Sequence, residues 1–280
     1  MSAGPSIGVV AGAGARDPKL SSPRVTSGAV MRLIAPIVGV IGFLLTWQVI
    51  VLVFDIPKYE LPKPTDILSH LSSDLDFYVR NARTTLWEAG LAFCLAFVIA
   101  LVVATVMAHS RFIDNAIQPI AVLIQVTPII AYAPAIVIWT GTGTRPIVII
   151  TSMVCFVPFL LNGVSGLRSV DPNLLELARS VDATRREIFW RLRLPSALPY
   201  LFSAARIAVG LALIGAVLGE FFAYVNQGLG AAIKIAQARP NLRMQLWGSI
   251  YVLAFIGAVA TLLITLLERR ALRWHASQRT

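Results

Sequence analysis

Six long runs of apolar residues constrain the fold of this chain more than any other feature of its sequence. A membrane-spanning helix needs about 20 consecutive apolar residues, and each run reaches that length. The six runs are Leu33–Phe54, Ala89–Ala108, Asn115–Thr144, Ile147–Leu167, Ser196–Phe222 and Met244–Leu267. Only 14% of the 280 residues are charged, whereas a soluble domain carries about a quarter. We therefore predict an all-α membrane protein with about six transmembrane helices.

The third run is the one whose path the sequence leaves open. Residues 115–144 are long enough for a span together with a re-entrant or loop portion, and the Gly-Thr-Gly-Thr ending is typical of a loop. Counts of five or seven spans are therefore the alternatives to six. Three prolines in this run predict bends, because proline kinks a membrane helix and frees backbone carbonyls. The polar residues nearest the bends are Gln125, Thr127 and Tyr132, which either line a solute path or satisfy those carbonyls.

Basic residues between the runs predict the orientation, because short cytoplasmic loops are enriched in Lys and Arg. Six spans put both termini on one side, which collects 15 basic residues against 8 on the other. The 15 are Arg16, Lys19, Arg24, Arg32, Arg111, Arg168, Arg179, Arg185, Arg186, Arg191, Arg193, Arg269, Arg270, Arg273 and Arg279. The 8 are Lys58, Lys63, Arg80, Arg83, Arg145, Lys234, Arg239 and Arg243. We therefore predict cytoplasmic termini and assign the net charge to loops facing membrane lipids, not to nucleic-acid binding.

Two predicted outer connections either contact an extracytoplasmic partner or are simple solvated links. In the first, Asp55–Arg83, two prolines predict an extended turn, and Thr65 or Asp66 can cap a helix that lies near the membrane surface. The second, Ala223–Arg243, contains a Gly-Leu-Gly sequence and an Arg-Pro pair.

The loop at residues 168–195 is charged and amphipathic, and its pattern predicts two short helices. Asp171 is a capping residue followed by a proline suited to the first turn. Asp182 lies where this helix should end, since Asp tolerates left-handed backbone better than most residues. A second helix follows from about Thr184, and Pro195 prevents its straight continuation into the fifth span. Two interpretations remain: a knob that docks on a protein, or a connector in the lipid interface.

The first predicted helix of this loop has two faces. Apolar residues recur there at helical spacing: Leu174, Leu175, Ala178 and Val181. On the polar face, Glu176 and Arg179 are three residues apart and can form an ion pair.

The same loop resembles the E-A-A-x-x-x-G-x9-I-x-L-P motif of ABC-importer permeases. The matching residues are Glu176, Ala178, Leu192, Leu194 and Pro195, with Leu in place of the Ile. Leu177 replaces the second Ala, and Asp182 replaces the Gly. The resemblance extends over most of residues 30–275, and it is to the permeases that serve sulfonates, taurine, nitrate, bicarbonate and thiamine-precursor pyrimidines.

The resemblance implies the type I importer-permease architecture in residues 31–275, between tails at 1–30 and 276–280. It implies that one set of residues couples the chain to cytoplasmic ABC ATPase subunits: Glu176, Ala178, Arg179, Asp182, Leu192, Leu194 and Pro195. It also implies an extracytoplasmic binding protein, a small polar or anionic solute, and a second permease copy in a homodimer. The implied location is the bacterial inner membrane.

The sequence contains no energy-transducing site of its own. A phosphate-binding loop needs G-x4-G-K-[ST], and the chain has no Gly-Lys dipeptide. Its two cysteines, Cys94 and Cys155, lie in apolar runs without zinc-ligand spacing. We therefore expect no catalytic residue, no bound cofactor or metal, and ATP hydrolysis by a partner subunit.

An ion-coupled secondary transporter is the alternative function. Such proteins place ionisable residues inside the membrane, and Arg206 and Glu220 lie within the fifth run. Either residue can line the solute path, or it can be paired for structural reasons. A passive channel is a third class, and it would not need the loop at 168–195.

Overall fold

The computed structural model describes residues 26–272, with side chains described from residue 34 onwards. These residues form α-helices and contain no β-strand. The helices are α1 Thr26–Val53, α2 Pro64–Ser73, α3 Leu75–His109, α4 Arg111–Val126, α5 Ile129–Thr140, α6 Thr144–Arg168, α7 Pro172–Ser180, α8 Arg185–Ile188, α9 Leu194–Phe222, α10 Leu229–Gln237 and α11 Arg243–Ala271. A π-helical turn, Phe189–Arg193, links α8 to α9. The predicted tails at 1–30 and 276–280 lie outside the described residues, except that 26–30 begin α1.

Five described helical segments are long and apolar enough to cross a membrane, and α4 with α5 makes a sixth. The five are α1, α3, α6, α11 and the segment that runs from α8 through α9. The predicted all-α fold with about six spans is confirmed. The third run is broken at Thr127 and Pro128, where α4 and α5 meet at a bend of 101°. Proline has no N–H to continue the helical bonding, so the helix ends there.

The chain divides into two compact units at residue 50. The first contains most of α1, whose described side chains are largely exposed apolar residues, as expected for a helix in lipid. The second unit, from Val51 onwards, holds the other helices and the sites described below.

Small residues let α3, α6 and α9 approach one another closely. Alanines recur every four residues along α3 and along α9, and all of them are buried. They are Ala92, Ala96, Ala100, Ala104, Ala204, Ala208, Ala212 and Ala216. At Gly219 a Cβ atom would lie 2.9 Å from the Ile147 Cα atom, so α9 meets α6 at its backbone. Such packing stabilises helix pairs in membranes, where apolar burial between helices gains little.

The first outer connection differs from its prediction in one respect. Helix α2 begins at Pro64, and its N-cap residue is Lys63, which makes no side-chain capping bond. The prediction that Thr65 or Asp66 caps the helix is therefore wrong, because Pro64 itself fits the first turn and starts the helix earlier. Asp66 instead forms an ion pair with Lys58 at 3.2 Å.

Candidate functional site

Helix α7 begins and ends as its sequence predicts. The Asp171 Oδ1 atom accepts a hydrogen bond of 2.8 Å from the Asn173 amide, and Pro172 occupies the first turn. At the other end Asp182 has a φ of 57°, in the left-handed region. The Ala183 amide then donates to the Ala178 carbonyl at 3.0 Å and closes the helix. Both local predictions, for Asp171 and for Asp182, are confirmed.

The second short helix starts with a reciprocal cap that the sequence analysis missed. The Thr184 Oγ1 atom accepts from the Glu187 amide at 3.3 Å, and the Glu187 carboxylate accepts from the Thr184 amide at 2.9 Å. This is the capping box, and its Thr-x-x-Glu pattern is readable in the sequence.

The chain passes from α8 into α9 without the expected break at Pro195. In the π-helical turn the Leu194 amide donates to the Phe189 carbonyl, five residues back. The wider turn absorbs one extra residue, so Pro195 falls at the start of α9. The helix therefore continues through the turn as one segment, Arg185–Phe222, whereas a kink at Pro195 stays a prediction.

Helix α7 exposes an apolar face to its surroundings. None of its residues is buried, and the exposed fractions of Leu174, Leu177 and the C-cap residue Val181 are 49%, 62% and 71%. These three residues share one face, whereas Leu175 and Ala178, which belong to the predicted stripe, are half-buried. Large exposed apolar patches mark interaction sites. We call these three residues the α7 ridge.

The polar side of α7 does not contain the predicted ion pair. No ion pair joins Glu176 to Arg179 within residues 34–272, where four others occur. That prediction is wrong, and both side chains are exposed. An exposed pair at this spacing contributes only about 0.2–0.5 kcal/mol, so little is lost without it.

Arg168 anchors the base of this loop. One guanidinium nitrogen lies 2.7 Å from the Asp114 carboxylate on α4, and the other donates to the Met107 carbonyl on α3 at 2.8 Å. Arg168 is the last residue of α6, so three helices are joined where the loop begins. The α7 ridge therefore stands on a fixed base.

A second polar site surrounds the first turn of α10 at the other end of the fold. Its four successive amides, from Gly228 to Ala231, all donate to buried side chains. The Gly228 amide donates to Asn81 Oδ1 at 2.9 Å, and the Leu229 amide donates to Thr85 Oγ1 at 2.8 Å. The amides of Gly230 and Ala231 donate to Glu220 Oε2 at 2.6 and 3.1 Å. We call Asn81, Thr85 and Glu220 the α10 clamp.

The α10 clamp explains why a carboxylate lies inside the fifth span. Glu220 is fully buried, and its second oxygen accepts a bond of 2.7 Å from the Thr85 hydroxyl. The first amides of a helix have no partners within it, so the clamp satisfies groups that would otherwise be buried unpaired. Sequence reasoning placed Glu220 as a candidate path residue and missed Asn81 and Thr85. Their spacing of four residues, which puts two polar groups on one face of α3, was the available signal.

Arg206 also has a partner in the structure. Its guanidinium forms an ion pair with Glu268 of α11, and 45% of its side chain is exposed. Arg206 and Glu220 are therefore both paired within the protein, which was the alternative to lining the solute path. Neither residue belongs to the cavity described next.

The break between α4 and α5 opens into a cavity of about 520 Å³ bounded by α6 and α9. Its wall contains Gln125, Thr127 and Tyr132, so the structure brings together three of the five residues predicted for a solute path. Their role in transport remains a prediction. The Thr127 hydroxyl donates to the Leu123 carbonyl at 2.7 Å, a carbonyl that also accepts from the Thr127 amide at 3.1 Å.

The family described as the inner membrane component of binding-protein-dependent transport systems matches residues 96–275, more than half of the chain. The chain belongs to this family. It is therefore the membrane-spanning permease subunit of an ABC importer for a small solute. ATP hydrolysis belongs to separate ATPase subunits, and a binding protein is the other general partner. Membership also sets aside the ion-coupled secondary transporter.

Individual relatives agree with this assignment. The riboflavin transport system permease protein RibX of Chloroflexus aurantiacus is 36% identical over 264 residues, which cover 91% of this chain and 96% of that protein. The formylaminopyrimidine transport permease protein ThiX of Halalkalibacterium halodurans is 32% identical over 226 residues, which cover 79% of this chain and 88% of that protein. Among solved structures, an inward-facing form of the MetNI methionine ABC transporter has a TM-score of 0.60 at 20% identity, covering 70% of this chain and 97% of that one. This last likeness shows a shared fold.

Proposed function

We propose that the permease is driven through the loop at 168–195, with the α7 ridge as the surface that contacts a cytoplasmic ATPase subunit. The observation that carries the proposal is an exposed apolar face on a loop whose base is fixed by Arg168. An ordinary lipid-interface connector has no need of a three-helix anchor. The residues proposed to act with the ridge are those of the motif: Glu176, Ala178, Arg179, Asp182, Leu192, Leu194 and Pro195.

Leu177→Arg tests this proposal. Leu177 is exposed, so the change leaves the fold intact, but it places a charge where an apolar contact should form. Burying an unpaired charge costs several kcal/mol, and we expect the ATPase subunit to be lost from the purified complex. Arg186→Glu is the control, because Arg186 is exposed on α8, outside the ridge, and the change also alters the charge of the loop. Equal ATPase recovery in the two variants contradicts the proposal.

We also propose that both termini and the α7 ridge are cytoplasmic, as the distribution of basic residues indicates. Labelling of intact cells with a membrane-impermeant maleimide tests this in a Cys94→Ser background. Cys155 is buried and does not interfere. Glu60→Cys, in the outer connection, should be labelled, and Ser180→Cys should be protected until the membrane is permeabilised. The reverse pattern overturns the orientation.

The proposed assembly contains two copies of this permease, two ATPase subunits and an extracytoplasmic binding protein, and the permease itself binds no cofactor. Native mass spectrometry of the purified complex should give two identical permease chains, and a second permease sequence would refute the homodimer. The relatives named for riboflavin and for a formylaminopyrimidine support a small polar or anionic solute. We propose that it passes through the cavity lined by Gln125, Thr127 and Tyr132.

A further inference from the structure

The carboxylate of the α10 clamp has a second carboxyl group beside it. Glu88 of α3 is 2% exposed and Glu220 is fully buried, and the two carboxyl groups lie within hydrogen-bonding reach of each other. Two adjacent ionised carboxylates repel each other, and burial adds the cost of removing both charges from water. One of the two carboxyl groups must therefore be neutral, unless a cation lies between them.

The basic side chains of the surrounding helices do not neutralise this pair. The other charged residues at this end of α3, α6, α10 and α11 are Asp76, Arg80, Arg83, Arg145, Lys234 and Arg243. Within residues 34–272, none of them forms an ion pair or a hydrogen bond with Glu88 or Glu220. The Lys234 ammonium group instead donates to the Phe221 carbonyl. Charge balance must therefore come from a proton or from an ion that enters from outside.

The hydrogen bonds of each carboxyl group indicate which one is neutral. The partners of Glu220 are all donors, namely the Thr85 hydroxyl and two α10 amides, and an ionised carboxylate only accepts. Glu88 accepts one bond of 3.0 Å at Oε1 from the Thr144 hydroxyl. Its buried Oε2 atom has no hydrogen-bond partner among the described residues. A protonated carboxyl group has one O–H donor, so a proton on Glu88 gives this oxygen a partner in Glu220.

We propose that Glu88 is a neutral carboxylic acid in the folded permease and that it donates a hydrogen bond to the Glu220 carboxylate. The pair then holds one proton and one negative charge. Glu88 becomes a positioning residue, because it orients the carboxylate that binds the first turn of α10. This inference goes beyond the proposed function, since it does not depend on the surface that contacts the ATPase.

Glu88 also gives the pair a connection to solvent. It lines an open cavity of about 1070 Å³, whose wall includes Arg83, Trp87 and Gln227 but not Glu220. Protons can therefore exchange at Glu88 through this cavity. In the orientation proposed above the cavity faces the extracytoplasmic side, so the α10 clamp responds to the pH on that side of the membrane.

The shared proton makes the folding equilibrium depend on pH. Above about pH 5 both glutamates are ionised in the unfolded chain, whereas the folded pair holds one proton. Because the folded state then binds more protons than the unfolded state, a rising pH shifts the equilibrium towards unfolding, by about tenfold per pH unit for one proton. The shift ends at the pH where the folded pair loses its proton.

Infrared spectroscopy tests for the neutral acid directly. The purified complex and its Glu88→Gln variant are compared in a detergent without ester groups, because an ester gives a C=O band close to that of a carboxylic acid. At neutral pH we expect the wild type to show a carboxylic-acid C=O band that the variant lacks. A difference spectrum with only the loss of carboxylate bands overturns the proposal.

Thermal unfolding tests the proton count. The Tm of the permease within the complex can be read from maleimide labelling of the buried Cys155 in a Cys94→Ser background. Above the range in which ordinary glutamates titrate, this Tm should fall with rising pH more steeply than it does after Glu88→Gln. Glu60→Gln is the matched control, because Glu60 is exposed, and it should keep the steeper slope. Equal slopes with and without Glu88→Gln overturn the proposal.

A comparison of two amide substitutions tests which carboxyl group holds the proton. Glu88→Gln replaces an O–H donor by an N–H donor and keeps an oxygen for Thr144, so the Tm at neutral pH should stay close to that of the parent. Glu220→Gln places an N–H group among the donors that face Glu220, so the Tm should fall. A larger loss in Glu88→Gln than in Glu220→Gln overturns the assignment of the proton to Glu88.

A bound cation is the alternative way to neutralise the pair. If Na⁺ lay between two carboxylates, the Tm would be higher in NaCl than in choline chloride at the same concentration, and Glu88→Gln would remove the difference. That result overturns the proposal. Equal Tm values in the two salts support a shared proton.

Discussion

The α10 clamp and the α7 ridge differ in whether their side chains find partners within the chain. In the clamp, four backbone amides and a buried carboxylate find all their partners within the chain. On the ridge, three large apolar side chains remain exposed, and the helix that carries them buries none of its residues. One region is complete in the isolated subunit, whereas the other has an unused surface. Stability should therefore reside in the first and assembly in the second.

Removal of the clamp carboxylate should have the largest effect on stability. Glu220→Ala leaves the amides of Gly230 and Ala231 buried without an acceptor, and each unsatisfied group costs about 1–3 kcal/mol. We expect the variant to be lost from the folded peak in size-exclusion chromatography.

Two comparisons sharpen this prediction. Glu60→Ala is the control, because Glu60 is exposed in the outer connection, and it should fold as the wild type does. Thr85→Val removes only part of the clamp and should give a folded protein with a lowered Tm. A wild-type Tm for Glu220→Ala would show that the clamp contributes nothing to stability.

Gly228→Ala should be the next most harmful change. Gly228 has a φ of 111°, and a Cβ atom there would lie 2.3 Å from the Glu220 carboxyl carbon. Backbone strain of this kind costs about 1–3 kcal/mol, and the clash adds to it, so the Tm should fall. Gly90→Ala is the matched control, since a Cβ there meets nothing within 4 Å and helical Ala is favoured by about 0.5–1 kcal/mol. A higher Tm for Gly228→Ala than for Gly90→Ala would contradict the structure.

A change in the loop that carries the ridge should have a smaller and more local effect. Thr184→Ala removes the capping box, at a cost of about 0.5–2 kcal/mol, in a segment where no residue is buried. Amide exchange of residues 185–188 should quicken, while the Tm of the permease stays the same. Exchange at the Gly230 amide should not change, and faster exchange there would mean that the two regions are not independent.

The smallest effect should come from Arg206. The Arg206 side chain is 45% exposed and the Glu268 side chain 13%, so the pair lies at the surface on one side only, and surface pairs contribute about 0–1 kcal/mol. Arg206→Leu should insert and fold. A double-mutant cycle with Glu268→Gln should give a coupling energy below about 1 kcal/mol. A coupling of several kcal/mol would place the pair among the stabilising groups, with the clamp.

The sequence predicts the spans and the ends of α7 because those features depend on neighbouring residues. Apolar length determines the spans, and the residue types at Asp171 and Asp182 determine where α7 begins and ends. The bend at Pro128 follows from the missing N–H of proline. The continuation through Pro195 was not predicted, because a π-helical turn leaves no clear pattern in the sequence.

The spacing of Asn81 and Thr85 indicates a polar face on α3, but the partners of that face could not be predicted, because the contacts of the α10 clamp join distant parts of the chain. Asn81 and the Gly228 amide are 147 residues apart, and nothing local connects them. Glu220 was conspicuous as a carboxylate in an apolar run, but its helix-capping role depends on how α3, α9 and α10 come together. The cavity could be predicted in part. The prolines of the third run indicated where the chain bends, but the exclusion of Arg206 and Glu220 from the cavity wall depends on tertiary packing.

The unbroken passage from α8 into α9 has a mechanical consequence. Residues Arg185–Phe222 form one helical column of 38 residues, which at 1.5 Å per residue is about 57 Å long. One end follows α7 in the chain, and the other holds Glu220 and the first turn of α10. A displacement along the helix axis at one end is therefore transmitted to the other end, unless the π-helical turn at Phe189–Arg193 deforms first. Stiffness of the column and compliance of that single turn together set how much of a nucleotide-driven stroke reaches the far side of the protein.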